Sequence, residues 1–471
     1  MLKRLTLKNF KSFQDATIEF DRFSVLVGAN ASGKSNIVEA LRFLNGIGRG
    51  YSASETIVGQ SMRHMMENFS GLQTRKNSRG DLGDRIRGGS KGITFQKSDS
   101  FEIKSAFSTE IGSDPDLVQQ IVFNYKINIK ISSENNFPST TSECFFIDKS
   151  CFPIHGYSYH KEGLVYETAK PTVKPGELTE NMIGERRFNI FMSDDRVKAR
   201  EKTISQDILG LASVFGEYWW KNESLKSEES SHFPELAPIL TARAPLLMAG
   251  ISAIDFSPEV MREPSVPGQS VLGDRGENLS SVLQSICHDS QQKERLLSWL
   301  QELTPMDAVD IEFREDLSGK ILLELVEGNG QRTLAYSASD GTLRFLGLLA
   351  ALLNPRNASS PHLYIFEELE NGIHPTRLYL VMQLIAEEIT RNPNLQVIAT
   401  THSPLLLHFL DQNYWDGASL IYRLPGQPDS KVAKIMDIPN ARKIVEEQDF
   451  ARLHESGWLE NAMYFLADDE E

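Results

Sequence analysis

Apolar and polar side chains alternate through residues 2–7 and 16–20, and Phe23-Ser-Val-Leu-Val27 is a compact apolar run that stops at a glycine. These segments read as strands of one sheet. Past the glycine loop, Ile37, Val38, Leu41 and Leu44 return at helical spacing, so the chain opens as strand, glycine loop, helix. Residues 46–92 are rich in Gly, Ser and Arg without periodicity, and 70–92 read as a mobile surface insertion. From Ile93 to about Glu167, short alternating runs such as 101–107 and 121–131 predict an antiparallel β lobe. Segments 203–220 and 235–250 have helical character, with a polar loop at 221–232 between them and a Pro/Gly-rich passage at 257–276. Helical spacing resumes at 277–303. Strands at 309–314 and 320–327 follow, joined as a hairpin by Asp316-Leu-Ser-Gly319. A helix at Phe345–Leu353, a buried strand at Leu363–Phe366, a helix at Leu378–Ile389 and a buried strand at Val397–Thr400 then alternate, which implies a parallel sheet.

This layout divides the chain into an N-terminal head segment with the glycine loop (1–50), a flexible insertion (51–92), an antiparallel β lobe (93–185), a mainly helical insertion (186–308), a C-terminal head segment (309–440) and a helical tail (441–471). No sustained heptad repeat is present, so long coiled-coil arms are not expected. The 471 residues suit two to four structural units and a proper core. With 40% hydrophobic and 24% charged residues the chain reads as globular. Lys+Arg 49 against Asp+Glu 64 gives −15, which opposes non-specific attraction to nucleic acid or anionic membrane; any DNA contact must be local. No apolar run reaches the roughly 18 residues of a membrane span, and the three cysteines suggest reduced thiols, so a cytoplasmic location with no membrane partner is expected.

The chemistry concentrates in a few places. Gly28-x4-Gly33-Lys34-Ser35, between a strand and a helix, can cradle nucleotide phosphates on its backbone N–H groups, along Asn30, Ala31, Ser32, Gly33, Lys34, Ser35 and Asn36. Lys34 would reach the β/γ-phosphates and the Ser35 hydroxyl would ligate Mg²⁺. The competing reading is a plain glycine turn. Glu367 and Glu368 close a buried strand at a sheet edge where ligands bind; one carboxylate can hold Mg²⁺, with Glu367 in the metal position, while its neighbour deprotonates the attacking water. A charged strand exit is the plainer alternative. His402, in Thr401-His-Ser-Pro404, could hydrogen-bond the γ-phosphate and the water, with Ser403 as helix cap. Ser337-Ala-Ser-Asp-Gly-Thr342 before an apolar helix offers a second anion site, or an ordinary cap.

In order and spacing these motifs resemble the ATP-binding cassette ATPases, in particular the RecF, SMC and OLD-like branch often labelled AAA-type ATP-binding proteins. The small-residue loop lies 28 residues before Glu367, and His402 lies 34 after Glu368. Leu7-Lys-Asn-Phe-Lys-Ser-Phe13 also looks like that branch's N-terminal wording. The resemblance covers roughly 1–45 and 310–425. It implies an α/β P-loop NTPase fold of the ABC head type, with a mostly parallel core sheet, an antiparallel β lobe and a helical insertion. It implies Glu368 as catalytic base, His402 as switch histidine, Ser339 and Gly341 in the signature loop, and Asn371-Gly-Ile-His-Pro375 as D-loop. It implies ATP and Mg²⁺ as cofactors and a homodimer, or higher oligomer, in which one subunit's signature loop completes the other's site. The signature is not of the Leu-Ser-Gly-Gly type, and Gln96 and Gln119 are weak candidates for a Q-loop.

Two functions fit. One is a Mg²⁺-dependent ATPase that closes on ATP and acts on DNA or RNA, in repair or antiviral defence; the other is an ATP-dependent scaffold that holds and releases a separate effector such as a nuclease or toxin. With 69 residues after His402, an appended nuclease is not expected. A transporter subunit is disfavoured by the β-rich middle. Basic clusters at Arg75–Lys91 and Arg186–Lys202 are candidate nucleic-acid contacts or solvated loops. Cys144, Cys151, His155 and His160 lack the usual zinc spacing.

Overall fold

The computed structural model describes residues 1–58, 86–87, 89–96, 98–111, 119–134, 136, 138–147, 164–168, 185–190, 200–205, 244–304, 308–354, 360–424 and 426–438. They cluster into two compact units: one from 1–20, 35–251 and 423–432, the other from 21–34, 252–422 and 433 onward.

The first unit is built on an antiparallel sheet in the order β2-β1-β4-β5-β6-β7-β8-β9. Its strands are β1 (Leu2–Phe10), β2 (Phe13–Glu19), β4 (Ser100–Ile111), β5 (Gln119–Ile131), β6 (Pro138–Ile147), β7 (Leu164–Thr168), β8 (Glu185–Ile190) and β9 (Arg200–Ser205). The alternation read from the sequence is real: Phe123, Tyr125, Ile127, Ile129 and Ile131 of β5 are all buried. Phe123 sits opposite Phe107 of β4, and their rings stack at 5.6 Å. In β1 the register shifts between Leu2 and Arg4, so Leu2 and Leu5, three apart, are both buried. The meander continues through β8 and β9, across the boundary expected at 185. Most of the expected insertion at 51–92 (59–85 and 88), the proposed helix at 203–220 beyond Ser205, the polar loop at 221–232, Cys151, His155 and His160, and the expected tail at 441–471 lie outside the described residues.

Helix α1 (Lys34–Gly48) packs in this unit from Ser35 onward, burying Ile37, Val38, Leu41 and Leu44 as its spacing predicts, with Phe43 edge-on to Phe101 at 6.1 Å. The β1–β2 turn grips the start of the helix. Lys11, in a left-handed conformation (φ 50°), forms a buried ion pair with Glu39, and Asn36 donates to Ser12 Oγ at 2.7 Å. A short helix, α2 (Ala53–Val58), follows.

The second unit holds a sheet of order β10-β14-β15-β3-β16-β17, with β3 (Phe23–Val27), β10 (Ile251–Ile254), β14 (His362–Phe366), β15 (Leu395–Thr401), β16 (Ala418–Tyr422) and β17 (Lys431–Lys434). Here one expectation fails. β3 does not join β1 and β2; it lies parallel between β15 and β16. All five of its residues are buried, as in a sheet covered on both faces, whereas β1 and β2 alternate. The unbroken apolar run already differed from its neighbours, and that difference marks the change of sheet. β16, not among the expected strands, is likewise wholly buried.

The helices of this unit are α3 (Pro258–Met261), α4 (Leu279–Cys287), α5 (Ser290–Leu303), α6 (Asp340–Leu352), α7 (Pro375–Arg391) and α8 (Pro404–His408). The expected hairpin forms between β11 (Ala308–Glu315) and β12 (Ile321–Glu327), extended by β13 (Arg332–Leu334). Its turn is set by Gly319 at φ 78° and by Asp316, whose carboxylate accepts from Ser318 N at 2.8 Å and Lys320 N at 2.9 Å. Among the described residues no helix is long and apolar enough to cross a membrane.

One buried side chain locks the end of α1 within the first unit. The Asn45 amide donates to the carbonyls of Ala249 (2.9 Å), Ile251 (2.7 Å) and Met248 (3.3 Å). Asn45→Ala leaves these carbonyls without their donor, and a loss of about 1–3 kcal/mol is expected, read from the midpoint shift in urea at unchanged slope.

Candidate nucleotide site

Strands β14, β15, β3 and β16 run in parallel, with Phe366 opposite Ala399, Thr401 opposite Val27 and Leu420 also opposite Val27. Their C-terminal ends therefore reach one edge, where open α/β sheets bind ligands. Three loops leave that edge: Gly28–Lys34 after β3, Glu367–Glu370 after β14 and His402 after β15.

The first loop is a tight backbone cradle. Gly28 N donates to Thr401 O at 3.3 Å, fastening the loop to the end of β15. A Cβ at Gly28 would lie 2.2 Å from Ile421 O, so no larger residue fits. Ala31 and Gly33 take positive φ (62° and 122°), curling successive N–H groups inward as an anion nest requires. Asn30 and Ala31 are exposed on the rim, while Ser32, Gly33 and Lys34 are buried. The Lys34 ammonium folds back onto the carbonyls of Gly28 and, at 2.9 Å, Ala29. Burial holds its pKa below the usual lysine range, and the charges of Glu368 and Glu370 partly offset that. Ser35 is exposed in the first turn of α1, and the Asn36 side chain is engaged with Ser12.

The second loop turns sharply at Glu368, which adopts a left-handed φ of 48°. Its N–H donates to Thr400 Oγ1 at 3.0 Å, and the next amide, of Leu369, to Thr400 O at 3.2 Å. Leu369 is buried while the Glu368 carboxylate stands exposed, hydrogen-bonded by Asn371 Nδ2. Glu367 is half-buried, its backbone N–H donating to Ile254 O at 3.0 Å. His402 is exposed, its Nδ1 3.3 Å from Glu370 Oε1.

Lys34, Glu367, Glu368 and His402 thus share one sheet edge within one unit. Ser339 and Gly341 face a different neighbour. Ser339 caps α6, its hydroxyl accepting from Thr342 N at 3.1 Å, and a Cβ at Gly341 would meet Gly372 O at 3.0 Å. Asp340, next in line, accepts from Arg262 at 2.6 Å. In the Asn371–Pro375 segment, His374 caps α7 and Pro375 opens it. Of the Q-loop candidates, Gln96 is an exposed left-handed residue (φ 47°) and Gln119 begins β5. Sequence reasoning missed Glu370 and Thr400 and gave Thr401 no role; the signals were a third carboxylate in Glu367-Glu-Leu-Glu370 and paired threonines before His402. Among the described residues no group of His, Cys, Asp and Glu forms a metal cluster; of Cys144, Cys151, His155 and His160, all but Cys144 lie outside them.

The chain is similar to several known proteins. Residues 1–150 match the family described as "AAA ATPase domain", and residues 227–408 the family "AAA domain, putative AbiEii toxin, Type IV TA system". The chain is 23% identical over 421 residues to an ATP/GTP phosphatase of Helicobacter pylori, covering 88% of each. Shorter stretches resemble a chromosome partition protein Smc of Rhodopirellula baltica, at 43% over 77 residues (16% of this chain, 6% of that one). A DNA replication and repair protein RecF of Streptococcus gordonii matches at 50% over 44 residues (9% and 12%).

The cradle makes a direct forecast. Gly28→Ala sets a methyl against a backbone carbonyl that cannot retreat, so the loop must open, and ATP affinity is expected to fall at least about tenfold, by fluorescence titration with a labelled nucleotide, while the far-ultraviolet spectrum is kept.

Proposed function

We infer, for a chain that is an ATP-binding and ATP-hydrolysing protein of the RecF/SMC-like class, that Gly28–Ser35 takes the phosphates of ATP and that hydrolysis is run by Glu368 and His402. Its α/β fold with a parallel core sheet is the P-loop NTPase head of that class. The observation that carries the reading is the convergence of Lys34, Glu368 and His402 on one edge of that sheet, fixed by parallel pairing.

On this reading Lys34 leaves the carbonyls of Gly28 and Ala29 for the β/γ-phosphates, exchanging neutral acceptors for charged ones. The backbone N–H groups of Asn30 to Ser35 hold the remaining phosphate oxygens. Glu368, exposed on a left-handed turn, takes the proton of the attacking water, and His402 hydrogen-bonds the γ-phosphate. Glu367 presents a carboxylate, a hard oxygen donor of the kind Mg²⁺ takes, with its Oε1 shielded from solvent, and the Ser35 hydroxyl is the second donor that the motif implies. Mg²⁺ bound there would neutralise phosphate charge as the β–γ bond breaks.

Two chains then close head to head on ATP, the Ser339–Gly341 loop of one meeting the nucleotide of the other, and the cycle of closing and opening is coupled to nucleic acid. The similarity to RecF and Smc supports this use. A second reading, an ATP-dependent scaffold that holds a separate effector, is favoured by the net charge of −15 and by the toxin–antitoxin description of the family matching 227–408. Stimulation of turnover by duplex DNA supports the first; a co-purifying protein released by ATP, with no stimulation by DNA, supports the second.

Lys34→Ala is expected to abolish ATP binding by titration calorimetry; unchanged affinity would remove the nucleotide site from this loop. Glu368→Gln keeps shape but loses the base, so turnover should fall at least about 100-fold with binding retained. If Glu367→Gln were the slower variant and Glu368→Gln active, the two carboxylates would exchange roles.

The shared site has its own test. Ser339→Arg should bind ATP yet fail to hydrolyse it. Mixed with Lys34→Ala, it forms dimers with one intact composite site, and activity should return to at most about a quarter to a half of wild type. Mixed dimers, verified by differential tags, that stay inactive would argue for a site completed within one chain.

A further inference from the structure

We propose that Glu370 is a positioning residue for hydrolysis, its carboxylate fixing the imidazole of His402 and binding together the loops that carry Glu368 and His402. This rests on the reading of His402 given above. The observation is a cluster around one oxygen. Glu370 Oε1 accepts from Thr401 Oγ1 at 2.7 Å and from the His402 backbone N–H at 3.1 Å, and lies 3.3 Å from His402 Nδ1. An ionised carboxylate only accepts, so the Nδ1 facing it carries the proton, and Nε2 is the nitrogen left to face outward. The imidazole is 41% exposed, and Glu370 Oε1 meets it at Nδ1 while also holding the His402 backbone N–H and the Thr401 hydroxyl.

Glu370 itself is nearly buried, at 11% exposure, and its Oε2 is shielded from solvent with no hydrogen-bond partner among the described residues. A carboxylate in that setting is costly, and a neutral amide would satisfy the same backbone donor at lower cost. What charge adds here is attraction along two lines: to the donors of Thr401 and His402, and to the Lys34 ammonium, which feels the negative charge of Glu370 as well as that of Glu368. Thr401 Oγ1 is in turn the acceptor for Ser403 N at 2.9 Å, so the carboxylate organises the whole turn that carries the imidazole from β15 into α8. A carboxylate that orients a functional imidazole acts through that imidazole, and its removal should slow turnover without weakening substrate binding.

The test is a double-mutant cycle on the full-length protein, with steady-state ATP hydrolysis and ATP titration. Glu370→Gln keeps the size and one acceptor and loses the charge; kcat is expected to fall about 10- to 100-fold with KM and ATP affinity within about twofold of wild type. In a His402→Ala background the same substitution should change kcat by less than about twofold, because the residue it positions is gone. Independent, multiplicative losses would overturn the proposal, as would a loss confined to ATP affinity, which would place Glu370 with Lys34. His402→Ala with wild-type turnover would overturn the reading of His402 itself and this inference with it. Should Glu370→Gln prove unstable by thermal unfolding, Glu370→Asp, which keeps the charge and withdraws it by one methylene, is carried through the same cycle under the same criteria.

Discussion

Everything at the candidate site depends on the parallel pairing of β14, β15 and β3. Three strands that run the same way must end on the same side, so three loops from distant parts of the sequence are delivered to one edge. Residues 28–34, 367–370 and 402 meet for that reason and for no local one. Two hydrogen bonds, of 3.3 and 3.0 Å, refine the alignment. Gly28 N to Thr401 O fixes the phosphate loop to β15, and Glu368 N to Thr400 Oγ1 fixes the carboxylate loop to the same strand. β15 is thus the common reference for both, and its seven residues are all buried, which keeps it from shifting.

The Lys34 ammonium shows how such a loop holds itself ready. A buried cation without partners would deprotonate or unfold its surroundings, yet here it is bonded to two carbonyls of its own loop and lies in the field of two carboxylates. Both of those acceptors are neutral, and an ammonium bonds more strongly to a charged oxygen than to a carbonyl. The left-handed residues share this character. Ala31 and Glu368 are not glycines, and each holds a conformation costing about 1 kcal/mol, affordable because flanking backbone bonds determine it. At Glu368 the result is visible: Leu369 turns into the core and the carboxylate turns out.

Much of this was legible in the sequence, for identifiable reasons. The α/β half could be read because its strands are short unbroken apolar runs and its helices keep a 3.6-residue period, as at Leu378–Ile389. The glycine loop and the carboxylate pair could be placed because each follows such a run directly. Sheet membership could not be read from alternation alone: β3 follows β2 after three residues yet pairs with β15, where Phe23 sits opposite Val397. β16, Ala-Ser-Leu-Ile-Tyr, opens on a small residue and a serine directly after the polar 3-10 turn Gln412–Gly417, so its apolar run did not stand out. Glu370 escaped because its partners, Thr401 and His402, are 31 and 32 residues distant, and only the pairing of β14 with β15 brings the two loops together.

The Ser339 loop illustrates why a cap and a ligand contact are not rival assignments. A serine hydroxyl has one proton and two acceptor positions. Capping uses one acceptor position, for Thr342 N, and the 2.9 Å contact with Thr342 Oγ1 can run with either oxygen as donor. If Thr342 donates, the Ser339 proton is left to point outward from an exposed helix start, beside the amides of Asp340 and Gly341. The cost lies with Asp340, whose carboxylate at the same helix start repels an arriving phosphate; Arg262, 2.6 Å away and also bonded to Ala338 O, draws that charge aside. The loop can therefore offer donors without giving up the bonds that keep α6 in place, and Gly341 carries no side chain where a Cβ would come within 3.0 Å of Gly372 O.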